Sequence, residues 1–436
     1  MRKVVPAEGE HPDGPANKTP GRAGRHRVER GTARGLRRRT PVPALAVLVV
    51  LLLTGCSGWG DVLDSSTPGP GGGDECSTAD PTSTDVGLRL PRPSGPYPVG
   101  ESTFELTDRK RTDPLAPDGR PRALPVQVWY PADPHGEPNA RYAPAATLAL
   151  AEKHLHVCSG HLRVGLTARH AAAVRTPPTG GWPVLVYSPA SASIRMLATS
   201  LVQSLASLGY VVLVVDRPFD SLVAEFPDGR VVRGPSEPIG TGERARRVFD
   251  THVADLRFVL DRLGSIGRGN PATPVRGALD TDRVGMVGHG SGGAATVHVM
   301  LADSRVAAGA NLDGDNPGPA PDADLGRPLL TFGSADGGPR NDPGWKSLWP
   351  RLRGRHRELT VRGSGHLSFT DAGILLERWD VRRTWSAEQL GRIAGRRSVQ
   401  IVVTYLGAFF DQVFSGRPSG LLEQEDPTHP EVVFDR

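Results

Sequence analysis

The segment Val284-Gly285-Met286-Val287-Gly288-His289-Gly290-Ser291-Gly292-Gly293-Ala294 constrains this chain more than any other. An apolar run enters a glycine-rich turn, and a helix-compatible stretch leaves it. Where a buried strand reverses so tightly into a helix, the two backbones cross at close range. The residues two before and two after the apex must then be small. Such a turn holds its apex residue in a strained conformation and presents it above the sheet edge.

The surrounding sequence supplies the sheet. Val126-Gln127-Val128-Trp129-Tyr130 alternates with period two and stops at a proline, which predicts a strand. Val184 to Tyr187 and Val211 to Val215 are continuous apolar runs, the pattern of strands covered on both faces. Further short runs lie at Val284 to Val287, Ala307 to Leu312, Leu329 to Phe332 and Leu359 to Val361. Met196 to Leu208 and Glu243 to Leu263 carry helical spacing, the second with apolar residues at 248, 253, 256, 259, 260 and 263. Alternating strands and helices predict an α/β fold with a mostly parallel central sheet and helices on both faces. Phe226-Pro227-Asp228-Gly229-Arg230-Val231 reads as the tight turn of a hairpin or lid.

Charge places the two ends of the chain in different classes. The formal net charge is +5, which at face value suggests a nucleic-acid or membrane-surface partner. Residues 1–55, however, hold eleven Lys or Arg against four acids, so the leader is +7 and the remainder −2. With 6% aromatics there is also little material to stack on bases, and no nucleic-acid partner is expected. Arg37-Arg38-Arg39 precedes an apolar stretch, Ala44 to Leu53, that is too short for a bilayer span of about 20 residues. It suits the h-region of a signal peptide. The charged stretch ahead of it is long for such a leader, which an upstream start assignment would explain. The run ends in Leu53-Thr54-Gly55-Cys56, which resembles the lipobox of bacterial lipoproteins. That resemblance implies lipidation of Cys56 and attachment to the outer face of the cell membrane. The alternative is an ordinary secreted protein with an incidental cysteine.

Residues 57–85 contain 18 Ser, Thr, Gly or Pro in 29 positions, too little apolar material to offset the entropy of ordering. The expected organisation is a leader over 1–55, a flexible tether over 56–95 and one folded domain over 96–436. Such a tether reaches on the order of 30 Å. In an oxidising compartment Cys76 and Cys158 have the option of pairing, and a plain buried Cys158 is the equal alternative.

Two registers of the glycine turn present different residues. With Ser291 at the apex, the position two before it is the bulky His289. With Gly290 at the apex, the flanks are Gly288 and Gly292, which fits the sterics, but the apex then carries no hydroxyl. A phosphate-binding reading has no Walker lysine and no following acid at the ribose spacing.

Several segments together resemble the α/β-hydrolases related to platelet-activating factor acetylhydrolase, especially bacterial secreted relatives. They are Val126 to Pro131, Ser188-Pro189-Ala190, Phe226 to Arg230, Ala254 to Asp261, Asn311 to Gly314, Gly363-Ser364-Gly365-His366 and Ala408-Phe409-Phe410. The resemblance runs from about Tyr97 to Phe434. It implies an α/β-hydrolase fold, hydrolysis of lipid or short-acyl carboxylic esters, and a Ser–Asp–His triad without a cofactor. The acid and base of that triad fall on Asp313 and His366. Asp336, after the next strand, is the other place where such folds carry the acid. The family serine falls on Gly290, and Ser291 occupies the variable position after it. The oxyanion donors fall on the backbone N–H groups of Ala190 and Ser291, with Ala190 and Ala192 standing where the family has glycines.

Three functional readings follow: an impaired hydrolase, a surface protein that binds a small-molecule or lipid ester without turning it over, and an esterase using Ser291 as a displaced nucleophile. His154, His156, Cys158 and His161 lie close in sequence, but their spacing matches no closed zinc pattern, and no metal is expected. Arg195 has two readings, orientation of the oxyanion loop or a surface ion pair.

Overall fold

The computed structural model describes residues 87–435, apart from 155–158, 161, 236–241, 317–321, 336–341 and 379–385. Internal contacts divide the chain into Met1–Leu52 and Leu53–Arg436, and every described residue belongs to the second unit. Cys56, Cys76, Cys158, His156, His161 and Asp336 lie outside the described residues.

The central sheet is built from β1 (Val99–Thr112), β2 (Pro121–Asp133), β3 (Trp182–Ser188), β4 (Val211–Val215), β5 (Leu279–His289), β6 (Val306–Leu312), β7 (Leu329–Gly333), β8 (His356–Val361) and β9 (Val432–Phe434). Their order across the sheet is β9-β8-β7-β6-β5-β3-β4-β2-β1. From β8 through to β4 every neighbour is parallel. The pairs β2–β4, β1–β2 and β8–β9 are antiparallel. The apolar runs thus form the parallel centre, and the alternating run Val126 to Tyr130 lies in the antiparallel wing.

Helices cover both faces because side chains alternate along each strand. Leu185, Tyr187, Val212 and Val214 point to one face, where they join Leu201 and Leu205 of α1 (Thr199–Ser207). Tyr405 and Phe410 of α4 (Gly395–Ser415) complete that layer. Val184, Val186, Val211 and Leu213 point the other way, against Leu256 and Val259 of α2 (Glu243–Gly267) and Val297 and Met300 of α3 (Ser291–Ala302). Each such side chain, buried fully, contributes about 1.5–3 kcal/mol. The helix α3 packs against both the sheet and α2 and is buried nearly all round, which is why its sequence shows no amphipathic stripe. Phe226 N–H donates to Arg230 O at 2.9 Å, closing the hairpin between Val223–Glu225 and Val231–Arg233 where the turn was expected.

The fold begins earlier than composition suggested. Leu88–Arg89 pairs with Val164–Gly165, Leu90 is buried, and Gly95 N–H donates to Ser207 Oγ at 2.9 Å. Residues 88–95, assigned to the tether from their proline and glycine content, are therefore docked on the body. Backbone pairing supplies the stability that side-chain content does not advertise.

One buried ionic cluster ties the antiparallel wing to α2. Arg122 is fully enclosed; Nε and Nη2 donate to Asp255 at 3.1 and 2.7 Å, and Nη1 donates to Asp113 at 2.8 Å and to Pro218 O at 2.9 Å. Arg111 Nη2 donates to Asp255 at 2.6 Å. Breaking such a pair strands a charge without water. Arg122→Ala is expected to cost about 3–5 kcal/mol in chemical denaturation. A loss under about 1 kcal/mol would show the cluster to be solvated.

Candidate active site

In open α/β sheets ligands bind beyond the carboxyl ends of the parallel strands. Here five strands deliver groups to that edge. β5 ends in the glycine turn, and β3 ends at Ser188, where the loop Pro189-Ala190-Ser191-Ala192 begins. β6 leads to Asp313, β7 to Ser334 and β8 to the loop carrying His366.

The register of the turn is settled by the backbone. Gly290 has φ 54° and ψ −129°, the strained apex conformation, and serves as the N-cap of α3. A Cβ at Gly288 would collide with the Gly292 carbonyl group, and one at Gly292 with the Ser188 carbonyl group. Both flanks must be glycine when residue 290 is the apex.

His366 and Asp313 meet there. His366 Nδ1–H donates to Asp313 Oδ2 at 2.8 Å, and Ser334 N–H donates to Asp313 Oδ1 at 2.7 Å. Burial works against the Asp313 charge, but the hydrogen bond and charge of His366 outweigh it and hold the carboxylate below its usual range. For His366, burial pulls the other way from Asp313, and the net effect of the Asp313 bond is to raise the imidazole above its ordinary value. With Nδ1 fixed, Nε2 faces the apex. An ideal Cβ at Gly290 would lie 3.2 Å from it. The His289 ring lies against that of His366, centroids 4.4 Å apart and tilted by 34°, and its Nε2–H donates to the His366 carbonyl at 2.9 Å. Burial, and then the neighbouring His366 charge, push His289 down to about 3, so it is neutral.

Ser291 lies one residue past the apex and its side chain turns elsewhere. Its hydroxyl accepts from Ser191 N–H at 2.8 Å and donates to Ser191 Oγ at 3.0 Å. Among the described residues it makes no hydrogen bond to His366. The backbone N–H groups of Ala190 and Ser291 donate to no group among the described residues. Ser291 N–H also sits at the N-terminus of α3, where the helix favours negative charge. Ala190 holds an ordinary φ, whereas Ala192 takes φ 54°, a conformation glycine adopts more cheaply. Arg195 is not on the surface. It is buried and donates to Asp216 at 2.8 Å and to the Glu225 carbonyl, so it braces the helix entry against β4.

The support behind this edge was not visible in sequence. Ser188 Oγ is hydrogen-bonded to His252 Nε2, and Arg217 Nη1 donates to the Pro189 carbonyl at 3.0 Å. Asp371 accepts from Ser200 N–H in the first turn of α1 at 3.2 Å and from Tyr142 OH at 3.4 Å. Asp315, two residues past Asp313, is pushed up to about 7 by burial and by the Asp313 and Asp342 charges. Of the histidine cluster, His154 ends a short helix, Ala145–His154, and the rest falls outside the described residues.

The platelet-activating factor acetylhydrolase isoform II family model matches residues 83–225. A probable 1-alkyl-2-acetylglycerophosphocholine esterase of Arthroderma benhamiae is 30% identical over 377 residues, covering 79% of this chain and 93% of that protein. Platelet-activating factor acetylhydrolase of Cavia porcellus is 23% identical over 318 residues, 65% of this chain and 69% of that protein. A solved structure, the ferulic acid esterase of Streptomyces cinnamoneus, superposes with a TM-score of 0.69 at 33% identity, over 80% of this chain and all of that one. The sheet, its helices and this neighbour together make the fold an α/β-hydrolase fold.

Burial pushes the Asp371 carboxyl up to about 7, against the bonds from Ser200 and Tyr142 that pull it down. Between about pH 4, where a free aspartate titrates, and pH 7, the folded chain holds a proton the unfolded chain has released. The contribution of Asp371 to stability therefore falls as pH rises through that window, opposite in sign to that of the buried, neutral His289. Asp371→Asn is expected to remove this contribution from the slope of stability against pH, raising stability at pH 7 relative to pH 4.5 in denaturation curves. An unchanged slope would contradict the assignment.

Proposed function

We propose a ligand-binding function for this chain, which belongs to the α/β-hydrolase family of platelet-activating factor acetylhydrolase: its cleft binds a carboxylic ester but does not form an acyl-enzyme. The family and its relatives point to carboxylic-ester hydrolysis as the chemistry of the cleft. The observation that carries the departure is the apex itself. Gly290 occupies the strained position facing His366 Nε2, while the hydroxyl of the next residue, Ser291, is engaged with Ser191.

In this reading Asp313 fixes the tautomer of His366, and the N–H groups of Ala190 and Ser291 receive the carbonyl oxygen of a bound ester. Nothing at the apex attacks it. Removing the nucleophile from a serine hydrolase costs about 10⁶-fold in turnover. The relatives are named for an alkyl-acetyl-glycerophosphocholine and for ferulic acid esters. What these share is an ester carbonyl, and that is the ligand chemistry proposed here, with a short acyl group on a lipid-like or aromatic partner.

The +7 leader, the short apolar run and Leu53-Thr54-Gly55-Cys56 support export and anchoring through a lipidated Cys56, which would hold the cleft at the outer face of a bacterial membrane. Loss of membrane association on Cys56→Ala, in fractionated cells, is the corresponding expectation. Retention of the variant on the membrane would contradict it.

Titration calorimetry with 1-alkyl-2-acetylglycerophosphocholine and with methyl ferulate tests the reading. Saturable binding of at least one ester is expected, with hydrolysis no faster than in His366→Ala. Turnover on the order of 10 s⁻¹ would exclude it, and its loss in Ser291→Ala would make Ser291 a displaced nucleophile.

A further inference from the structure

The apex lacks more than a hydroxyl. An ideal Cβ on Gly290 would lie 2.9 Å from the Ala190 methyl, closer than real methyl carbons approach. It would also press on His366, at 3.2 Å from Nε2. We infer that Ala190 closes the elbow to any side chain, so that Ala190 and Gly290 form a matched pair and a hydroxyl is not restored by changing position 290 alone. This rests on the placement of Gly290 at the apex and holds whether or not the cleft binds an ester.

The question is whether either wall can yield. The Ala190 wall is pinned along its whole length. Pro189 O accepts from the buried Arg217, and Ser191 N–H donates to Ser291 Oγ. Ala192 N–H donates to Asp220 O at 3.0 Å, and Ser193 N–H donates to Ala190 O at 3.3 Å. Arg217 is itself paired with Asp220, and Ala192 already sits at φ 54°. Withdrawing the methyl would disturb these bonds together. On the other side, His366 is held by Asp313 and by the ring of His289. A side chain at 290 is caught between two fixed walls.

The apex backbone penalises every residue except glycine, whatever stands at 190. A double-mutant cycle therefore separates the methyl contact from the backbone strain, because the strain is the same in both backgrounds. Ala190 is a positioning residue in this scheme. Its effect should appear in chemistry at 290 as well as in stability.

The cycle uses Ala190→Gly, Gly290→Ala and Gly290→Ser on the full chain. Gly290→Ala is expected to lower Tm markedly in the native background and much less beside Ala190→Gly. Gly290→Ser alone should label slowly with a fluorophosphonate probe. Paired with Ala190→Gly, the introduced serine should label at least about tenfold faster. If Gly290→Ser fails to fold alone but folds in the pair, the same conclusion follows. The proposal is overturned if the Tm cost of Gly290→Ala is equal in the two backgrounds, or if the introduced serine labels no faster once Ala190 is glycine.

Discussion

The crossing of β5 and α3 at Gly290 is the constraint on which the rest of this site depends. The strand must end and the helix must begin within one residue, because Gly288 and Gly292 bring the two backbones into contact with each other and with β3. That geometry fixes φ and ψ at the apex. It also determines that residue 290 faces His366 while residue 291 faces the loop after β3. A slip of one residue cannot be repaired by rotating a side chain, since the helix N-terminus sets the direction of each Cα–Cβ bond. The chemistry of the cleft is thus decided by which residue occupies one position.

Around that crossing the polar groups form two separate systems. Asp313, His366 and His289 make one, held by Ser334 N–H and the His366 carbonyl. Ser191, Ser291, Arg217 and Asp220 make the other, fixing the loop that carries Ala190. In an active serine hydrolase the nucleophile joins two such systems. Here they face each other across an apex without a side chain. Ser291 fastens the loop after β3, a structural use of a hydroxyl that sits one residue past the apex.

The sequence made the parallel centre of the sheet legible, since strands buried on both faces must be continuous in apolar residues. The long helix α2 was equally clear from its periodicity. The docked segment 88–95 was not, because backbone pairing leaves no mark in composition. Asp313 and His366 were readable only through several family motifs taken together. The apex register was readable from size alone, because no bulky residue fits where Gly288 stands. The closing role of the Ala190 methyl, the Ser191–Ser291 pair, and the burial of Arg122, Arg195 and Asp371 depend on residues far apart in the chain. Charged residues of this kind look like surface in a sequence, and only the packed structure shows them paired.

A family of esterases and a glycine at the apex are compatible if binding and bond cleavage reside on different residues, which is what the proposed ester-binding role requires. The most direct measurement is the intact mass of the native protein after prolonged exposure to a fluorophosphonate, followed by peptide mapping. An unmodified protein is predicted, since neither Gly290 nor the engaged Ser291 offers an activated oxygen. A stoichiometric adduct mapped to Ser291, and absent in His366→Ala, would contradict the account.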